Sequence, residues 1–430
     1  MSRLIPLGLA LLGLLTSCGP NAKAPVKVMA LIPDEAGAFQ TTQVELTTVA
    51  DITRLQGDVV TFIGSTRVVL DPNDPVQMLN GGIQNQTDAQ RYETIVQDKG
   101  VDVRAHYVDK SGVLWPADFH TWNMVSAYYN FEKSYAYFNE IYDGEDPKDL
   151  RPLRVHYWSD LQLNSPSITD NMLYLSFIKS FVITPFKSNQ LVPLPMNIGV
   201  VGHETAHRVF NAKALSNEGL HPALSSWSLD AFNLLKSLDE GLADFHGFGV
   251  TCGEPAGCRP NFLAISLDDS RTVAFRNVGR NDACMDEQLR TAFQNFTQQQ
   301  WIAAPEMYKV GNLIAASLYQ AGNKLGKIEI LEKALINAYD DESTTTPGLR
   351  QLITQNLNTP RNFTPENVVD VIAAHVTDPE LKKEVCTQFS SRMQLRCGSW
   401  PCMVDGMQSM PNCPSTARRD SSICPLIPQP

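Results

Sequence analysis

The chain has 430 residues, 43% of them hydrophobic, and a formal net charge of −11. This suits a globular protein of about two or three domains and excludes a nucleic-acid binder that works through a basic footprint. Beyond the N-terminal end, no stretch is apolar for long enough to span a membrane.

Residues 1 to 25 are not read as fold. Arg3 supplies a short basic region, and Leu4 to Leu15 is an apolar run of signal-peptide length, too short for a spanning helix. The run ends in Leu15-Thr16-Ser17-Cys18, which is similar to a bacterial lipobox. That resemblance implies that residues 1–17 are a lipoprotein signal peptide and that Cys18 becomes the lipidated first residue. Gly19 carries no inner-membrane retention signal, so the implied location is the bacterial cell envelope, lipid-anchored at the outer membrane. Ordinary secretion with a stray cysteine is the alternative. Residues 19 to 25 read as a flexible tether.

Residues 26 to about 115 read as short strands. Val59-Val60-Thr61-Phe62 and Arg67-Val68-Val69-Leu70 flank a Gly64-Ser65 turn, and Asp71-Pro72 and Asn80-Gly81-Gly82 are breakers. Val101 to Tyr107 alternates, and Asp109-Lys110-Ser111-Gly112 turns the chain back. No catalytic constellation occurs here. A β-rich accessory domain and a retained prosegment-like domain fit equally.

Trp122 to Tyr142 carries Met124, Tyr128, Phe131, Tyr135, Phe138 and Tyr142 at helical spacing, an aromatic stripe that predicts a core-facing helix. Leu153 to Trp158 reads as a strand, with His156 as a structural residue.

The stretch Gly199-Val200-Val201-Gly202-His203-Glu204-Thr205-Ala206-His207 sets H-E-x-x-H in an apolar frame. Histidines four apart stand one turn above each other on a helix, so both imidazoles can reach one zinc ion. Glu204 lies about 100° further round, where it meets a water on the metal rather than the metal. Pro193 and Pro195 break what precedes, and Asn197 suits the N-cap. Zinc needs a third protein ligand. Leu238-Asp239-Glu240-Gly241-Leu242-Ala243-Asp244 offers acids four apart on a second predicted helix, Ser225 to Gly247. His221 and His246 read as structural, because the ligand set is complete without them.

These paired motifs resemble the gluzincin metallopeptidases, in particular the thermolysin and fungalysin groups. The resemblance covers residues 120 to 325, about half the chain. It implies an α+β fold: a two-lobed peptidase core at 116–345, preceded by a β-rich region at 18–115 and followed by a helical, disulfide-rich region at 346–430. It implies Zn2+ as cofactor, with His203, His207 and Glu240 as ligands, Glu204 as general base and Asp244 steadying the first histidine. Asn164 to Asn171 falls where the family's substrate-pairing edge strand begins, although Asn164-Ser165-Pro166 departs from the family's Asn-Ala element. Ala274-Phe275-Arg276-Asn277 is similar to the segment whose arginine binds the substrate carbonyl, which points to Arg276. In Tyr308-Lys309-Val310-Gly311-Asn312-Leu313-Ile314-Ala315, Tyr308 stands where the fungalysin group has a histidine. A phenol can also donate to an oxyanion, so Tyr308 joins the catalytic set.

Of nine cysteines, removing Cys18 leaves eight, compatible with disulfides in an oxidising compartment. Cys252 and Cys258 enclose a short loop and are expected to pair; the remaining six leave connectivity open. The expected partners are a protein or peptide substrate, and a membrane through the anchor at Cys18, with no nucleic acid. The expected function is a zinc-dependent endopeptidase. The alternative is a surface lipoprotein that keeps the fold for binding or scaffolding without catalysis.

Overall fold

The computed structural model describes residues 25–70, 87–142, 150–163, 166–187, 190–215, 229–253, 257–267, 275–285, 289, 305–341, 346–356, 363–393 and 395. The lipobox-like stretch with Cys18, His221, and the cysteines from Cys397 onward lie outside them. The fold is mixed α+β. No helix among the described residues is long and apolar enough to cross a membrane.

Three sheets form its β part. In the first, β1 (Val26–Pro33) pairs antiparallel with β2 (Phe39–Leu46), while β9 (Tyr107–Lys110) and β10 (Val113–Pro116) form a hairpin. The hairpin's two-residue turn has φ 57° at Ser111 and 81° at Gly112, the left-handed pair that matches strand twist. β1 joins β10 in parallel, so the order is β2-β1-β10-β9.

The central sheet holds β3 (Val49–Asp51), β4 (Gln56–Gly57), β5 (Val60–Gly64), β11 (Leu153–Tyr157), β14 (Met172–Leu175) and β15 (Ser180–Ile183), ordered β14-β15-β11-β5-β4-β3. β5, β11 and β15 run parallel, and β15 is buried along its whole length, as a strand covered on both faces is. The third sheet contains β6 (Arg67–Leu70), β7 (Val96–Asp98), β12 (Asp160–Leu163) and β13 (Ser167–Ile168).

Four sequence expectations change here. The Gly64-Ser65 turn does not fold β5 back on β6; it carries the chain from the central sheet to the third, with Ser65 at φ 55°. Val101 to Tyr107 is not one strand. β8 (Val101–Asp102) pairs with β5, and Val103 and Ala105 then point into the core while Ala105 N–H donates to Thr53 O at 2.8 Å. The β-rich reading also misses a helix, α1 (Asp88–Ile95), started by a capping box between Thr87 and Gln90. Finally, residue 115 marks no boundary between cores, since β5 and β11 share a sheet and one hydrophobic core extends from Val28 to Leu395.

The central sheet packs on α2 (Phe119–Ile141), whose N-cap Asp118 accepts from Thr121 N–H at 2.8 Å. Tyr128, Phe131 and Phe138 of the aromatic stripe are fully buried, with Phe131 against Phe62 of β5 and Phe181 of β15. Each buried phenylalanine contributes roughly 1.5–3 kcal/mol of apolar transfer, which is why this helix and sheet cannot separate.

The helical part begins with α3 (Ile198–Phe210), α4 (Leu229–Cys252) and α5 (Pro305–Leu325). They meet through glycines. A Cβ at Gly202 would sit 2.8 Å from Val250, and one at Gly247 would sit 2.7 Å from Gly199 O, so α3 and α4 approach more closely than larger residues allow. Gly241 and Gly311 do the same for α4 and α5. α6 (Ile328–Asp340), α7 (Leu349–Gln355), α8 (Pro365–His375) and α9 (Pro379–Met393) complete the layer. Cys252 and Cys258 form the expected disulfide. Cys284 and Cys386 are also disulfide-bonded. Cys386 is fully buried in α9, along with Leu381, Val385 and Phe389, so the cysteine-rich region starts as a packed helix.

Candidate metal centre

The site begins with the N-cap of α3. Asn197 is fully buried; its side-chain oxygen accepts from Gly199 N–H at 3.0 Å, and its amide nitrogen donates to Phe262 O and Ser266 Oγ at 2.7 and 2.8 Å. That fixes the helix start. One turn of helix then places the rings of His203 and His207 with centroids 4.6 Å apart and their Nε2 atoms 3.0 Å apart.

α4 brings Glu240 to the same point. Its Oε2 lies 3.4 Å from His203 Nε2 and 3.7 Å from His207 Nε2. Donor atoms of the three residues all lie within 4.8 Å of one another.

The opposite edge of each imidazole is held by a carboxylate. His203 Nδ1 meets Asp244 Oδ1 at 3.0 Å, and His207 Nδ1 meets Asp239 Oδ1 at 2.7 Å. A carboxylate there keeps the proton on Nδ1 and turns the Nε2 lone pair toward Glu240. His203 Nε2, His207 Nε2 and Glu240 Oε2, the last buried without a well-aligned hydrogen bond, converge on one point where a cation could meet all three. These residues therefore fit zinc in ligand type and number, with a fourth position for water.

The electrostatics agree. Burial works against charge on His203, but its hydrogen bonds to Asp244 and Glu240 outweigh that and push its pKa up to about 10. His207 is raised as well: burial opposes it, and the charges of Asp239 and Glu240 prevail. Burial raises Asp244, yet Arg276 and His203 bring it down to about 2.

Arg276 is drawn into this centre. It grips Asp244 at both oxygens, at 2.6 and 3.2 Å, and its Nη2 lies 3.3 Å from His203 Nε2 and 3.6 Å from Glu240 Oε2. The sequence resemblance points Arg276 at a substrate carbonyl; here its guanidinium braces the carboxylate behind His203. The same guanidinium lies 4.6 Å over the ring of Tyr308, which α5 carries to the site. The neighbouring Glu240 charge, with burial, pushes the Tyr308 phenol well up, so it is a proton-bearing donor at neutral pH.

Glu204 stands outside the His203, His207 and Glu240 set. Its Oε2 accepts from Tyr174 N–H of β14 at 2.7 Å. Burial raises its pKa above the ordinary carboxylate range, and the two histidines pull it partly back. β14, at the edge of the central sheet, is thus the strand beside α3, a little after the Asn164 to Asn171 stretch singled out in the sequence.

Among solved structures, the chain is similar to the precursor of protealysin, a metalloproteinase from Serratia proteamaculans. The likeness covers 76% of this chain and 87% of that one, at 13% identity and a TM-score of 0.42. No family model and no curated protein matches the chain.

Among the described residues, the other histidines fall outside the centre. His246 is a core residue, bonded to Tyr137 Oη at 2.9 Å and Tyr339 Oη at 3.0 Å, and burial lowers its pKa to about 3. His156 is fully buried against Tyr92, and burial brings it down to about 4. Sequence reasoning missed Asp239. The only available signal was its position next to Glu240, which on a helix points its side chain about 100° away from that ligand's, toward the second histidine.

Proposed function

We propose that this protein is a zinc-dependent endopeptidase. The observation that carries the reading is the convergence of His203 Nε2, His207 Nε2 and Glu240 Oε2, each histidine backed by its own carboxylate, with a buried glutamate on the same helix. A structural zinc site has no use for that glutamate.

Zinc held by His203, His207 and Glu240 supplies a Lewis acid that brings the pKa of water toward neutrality. Glu204 accepts a proton from the attacking water and returns it to the leaving amine. Its raised pKa suits this exchange, and the Tyr174 N–H that holds Oε2 orients the carboxylate. Tyr308 donates its phenolic proton as a hydrogen bond to the oxyanion that develops on the substrate carbonyl. Arg276, through Asp244, keeps His203 in the ligand tautomer, and its charge beside the centre serves the same oxyanion. The substrate is a protein or peptide segment lying beside β14, in a cleft between the β-containing and helical lobes. Lipidation at Cys18 places the enzyme at the bacterial cell envelope.

Turnover of a peptide library, with and without a chelator, tests the reading. Cleavage that stops with chelator and returns with zinc is expected. Full zinc loading without cleavage of any member would leave a binding or scaffolding protein.

A further inference from the structure

A second cavity, of about 900 Å3, opens at the carboxyl ends of the parallel strands β5 and β11, and no residue of the metal centre lines it. Its size lies within the range of small-molecule sites, and the ends of parallel strands are a common place for them. One side is Tyr157, whose hydroxyl is fixed by Asn123 Nδ2 at 3.2 Å and His120 Nδ1 at 3.0 Å. Val103, Met124 and the Trp158 indole add apolar wall. Two large hydrophobic side chains stand exposed at this place: Val101, 65% exposed, in the lining, and Phe119, 45% exposed, edge-on to the rings of His120 and Trp158. Exposed apolar surface around a cavity marks a binding site more often than an isolated exposed residue does.

The backbone here is strained on both strands. Ser65 and Trp158 follow β5 and β11, are linked through Ser65 N–H to Tyr157 O at 3.1 Å, and have φ of 55° and 56°. That region is costly for a bulky residue and is retained mostly where function needs it.

The charges are unequal in what they can offer. Asp118 is engaged by the start of α2, through Thr121 N–H and Oγ1. Asp102 is engaged by Arg54 at 3.5 Å and by Gln56 at 3.4 Å. Arg104 and His106, both exposed lining residues, have no ion-pair partner among the described residues. The cavity therefore offers a guanidinium and imidazoles beside an apolar wall, on a chain whose net charge of −11 gives no general attraction for anions. We propose that this cavity binds an amphiphilic anion: an apolar chain or ring that ends in a single carboxylate or phosphate. The apolar body lies against Trp158, Val101 and Val103, and the anionic head meets Arg104 and His106.

The test titrates the purified chain with decanoate and with decyl phosphate, below micelle formation, by calorimetry and tryptophan fluorescence. Decanol and decyltrimethylammonium serve as the neutral and cationic controls. Saturable binding of at least one anion is expected, with the controls much weaker. Tighter binding of decanoate assigns a carboxylate head, and tighter binding of decyl phosphate a phosphate head. Arg104→Ala, an exposed substitution that leaves the fold intact, should weaken the anion about 10- to 100-fold, the usual loss for a hydrogen bond to a charged group. Trp158→Phe should remove most of the fluorescence change, although the chain has 6 tryptophans, while calorimetric binding persists. The proposal is overturned if neither anion saturates, if decanol or the cation binds equally well, or if Arg104→Ala binds the anion as wild type does.

Discussion

His203 Nε2 and His207 Nε2 face each other 3.0 Å apart while each Nδ1 is held by a different carboxylate, Asp244 and Asp239. Both Nε2 atoms are thus held toward one point by the groups behind them. Glu240 closes the set from a second helix.

The first prediction concerns metal content. The purified protein should carry one zinc per chain, and Glu240→Ala should lose most of it, because two histidines alone make an incomplete site. Elemental analysis decides the matter: a variant with wild-type zinc content removes Glu240 from the ligand set.

Glu204→Gln separates chemistry from binding. An amide accepts the Tyr174 N–H as a carboxylate does but cannot take a proton from water. The variant should keep its zinc and melting temperature and lose about 100- to 10,000-fold in turnover, the usual range for general acid–base catalysis. Near-normal kcat would place the base elsewhere.

Asp239 is the residue that sequence reasoning did not find. Its Oδ1 bonds His207 Nδ1 at 2.7 Å, and Lys236 Nζ lies 3.4 Å from its Oδ2. Removing a carboxylate that orients a ligand histidine typically costs about 10–100-fold in metal affinity or activity. Asp239→Ala should therefore weaken zinc by about that factor, and Asp244→Ala likewise. A competitive chelator titration measures both. Wild-type affinity in Asp239→Ala would reduce its contact with His207 to packing.

The last prediction is away from the metal. Burial of Glu332 raises its pKa from 4.5 to about 7, against the hydrogen bond to Tyr137 that lowers it. Between those two values the folded state binds more protons than the unfolded chain. Stability contributed by this group therefore falls as pH rises through that window, and above it the cost is complete. Glu332→Gln removes the charge but keeps the shape. It should raise the melting temperature at pH 8, by an amount on the order of a few kcal/mol of stability, and change it little at pH 4. Comparing variant with wild type at each pH cancels effects of zinc loss. Equal melting temperatures at pH 8 would mean that the buried charge costs nothing.

Much of the site was legible because it is local. Four-residue spacing on one helix decides that His203 and His207 share a face and that Glu204 does not, whatever packs around them. The N-cap at Asn197 and the aromatic stripe of α2 follow from the same short-range rules, and the Cys252–Cys258 bridge from a short loop. What lay between distant segments was not legible. Residues 64 and 65 read as a turn between paired strands, yet β5 pairs in parallel with β11, some ninety positions on, where Val60, Phe62, Leu153 and Val155 enter one core. Arg276 carries no local mark that it will reach across to Asp244. Asp239 and Asp244 are both acids on one helix, and which histidine each one holds depends on how α3 lies across α4. That angle and depth are set by Gly202 and Gly247, where the absence of a Cβ lets the two helices approach closely. Spacing along a helix is a property of the chain, whereas the approach of one helix to another is a property of the packed whole.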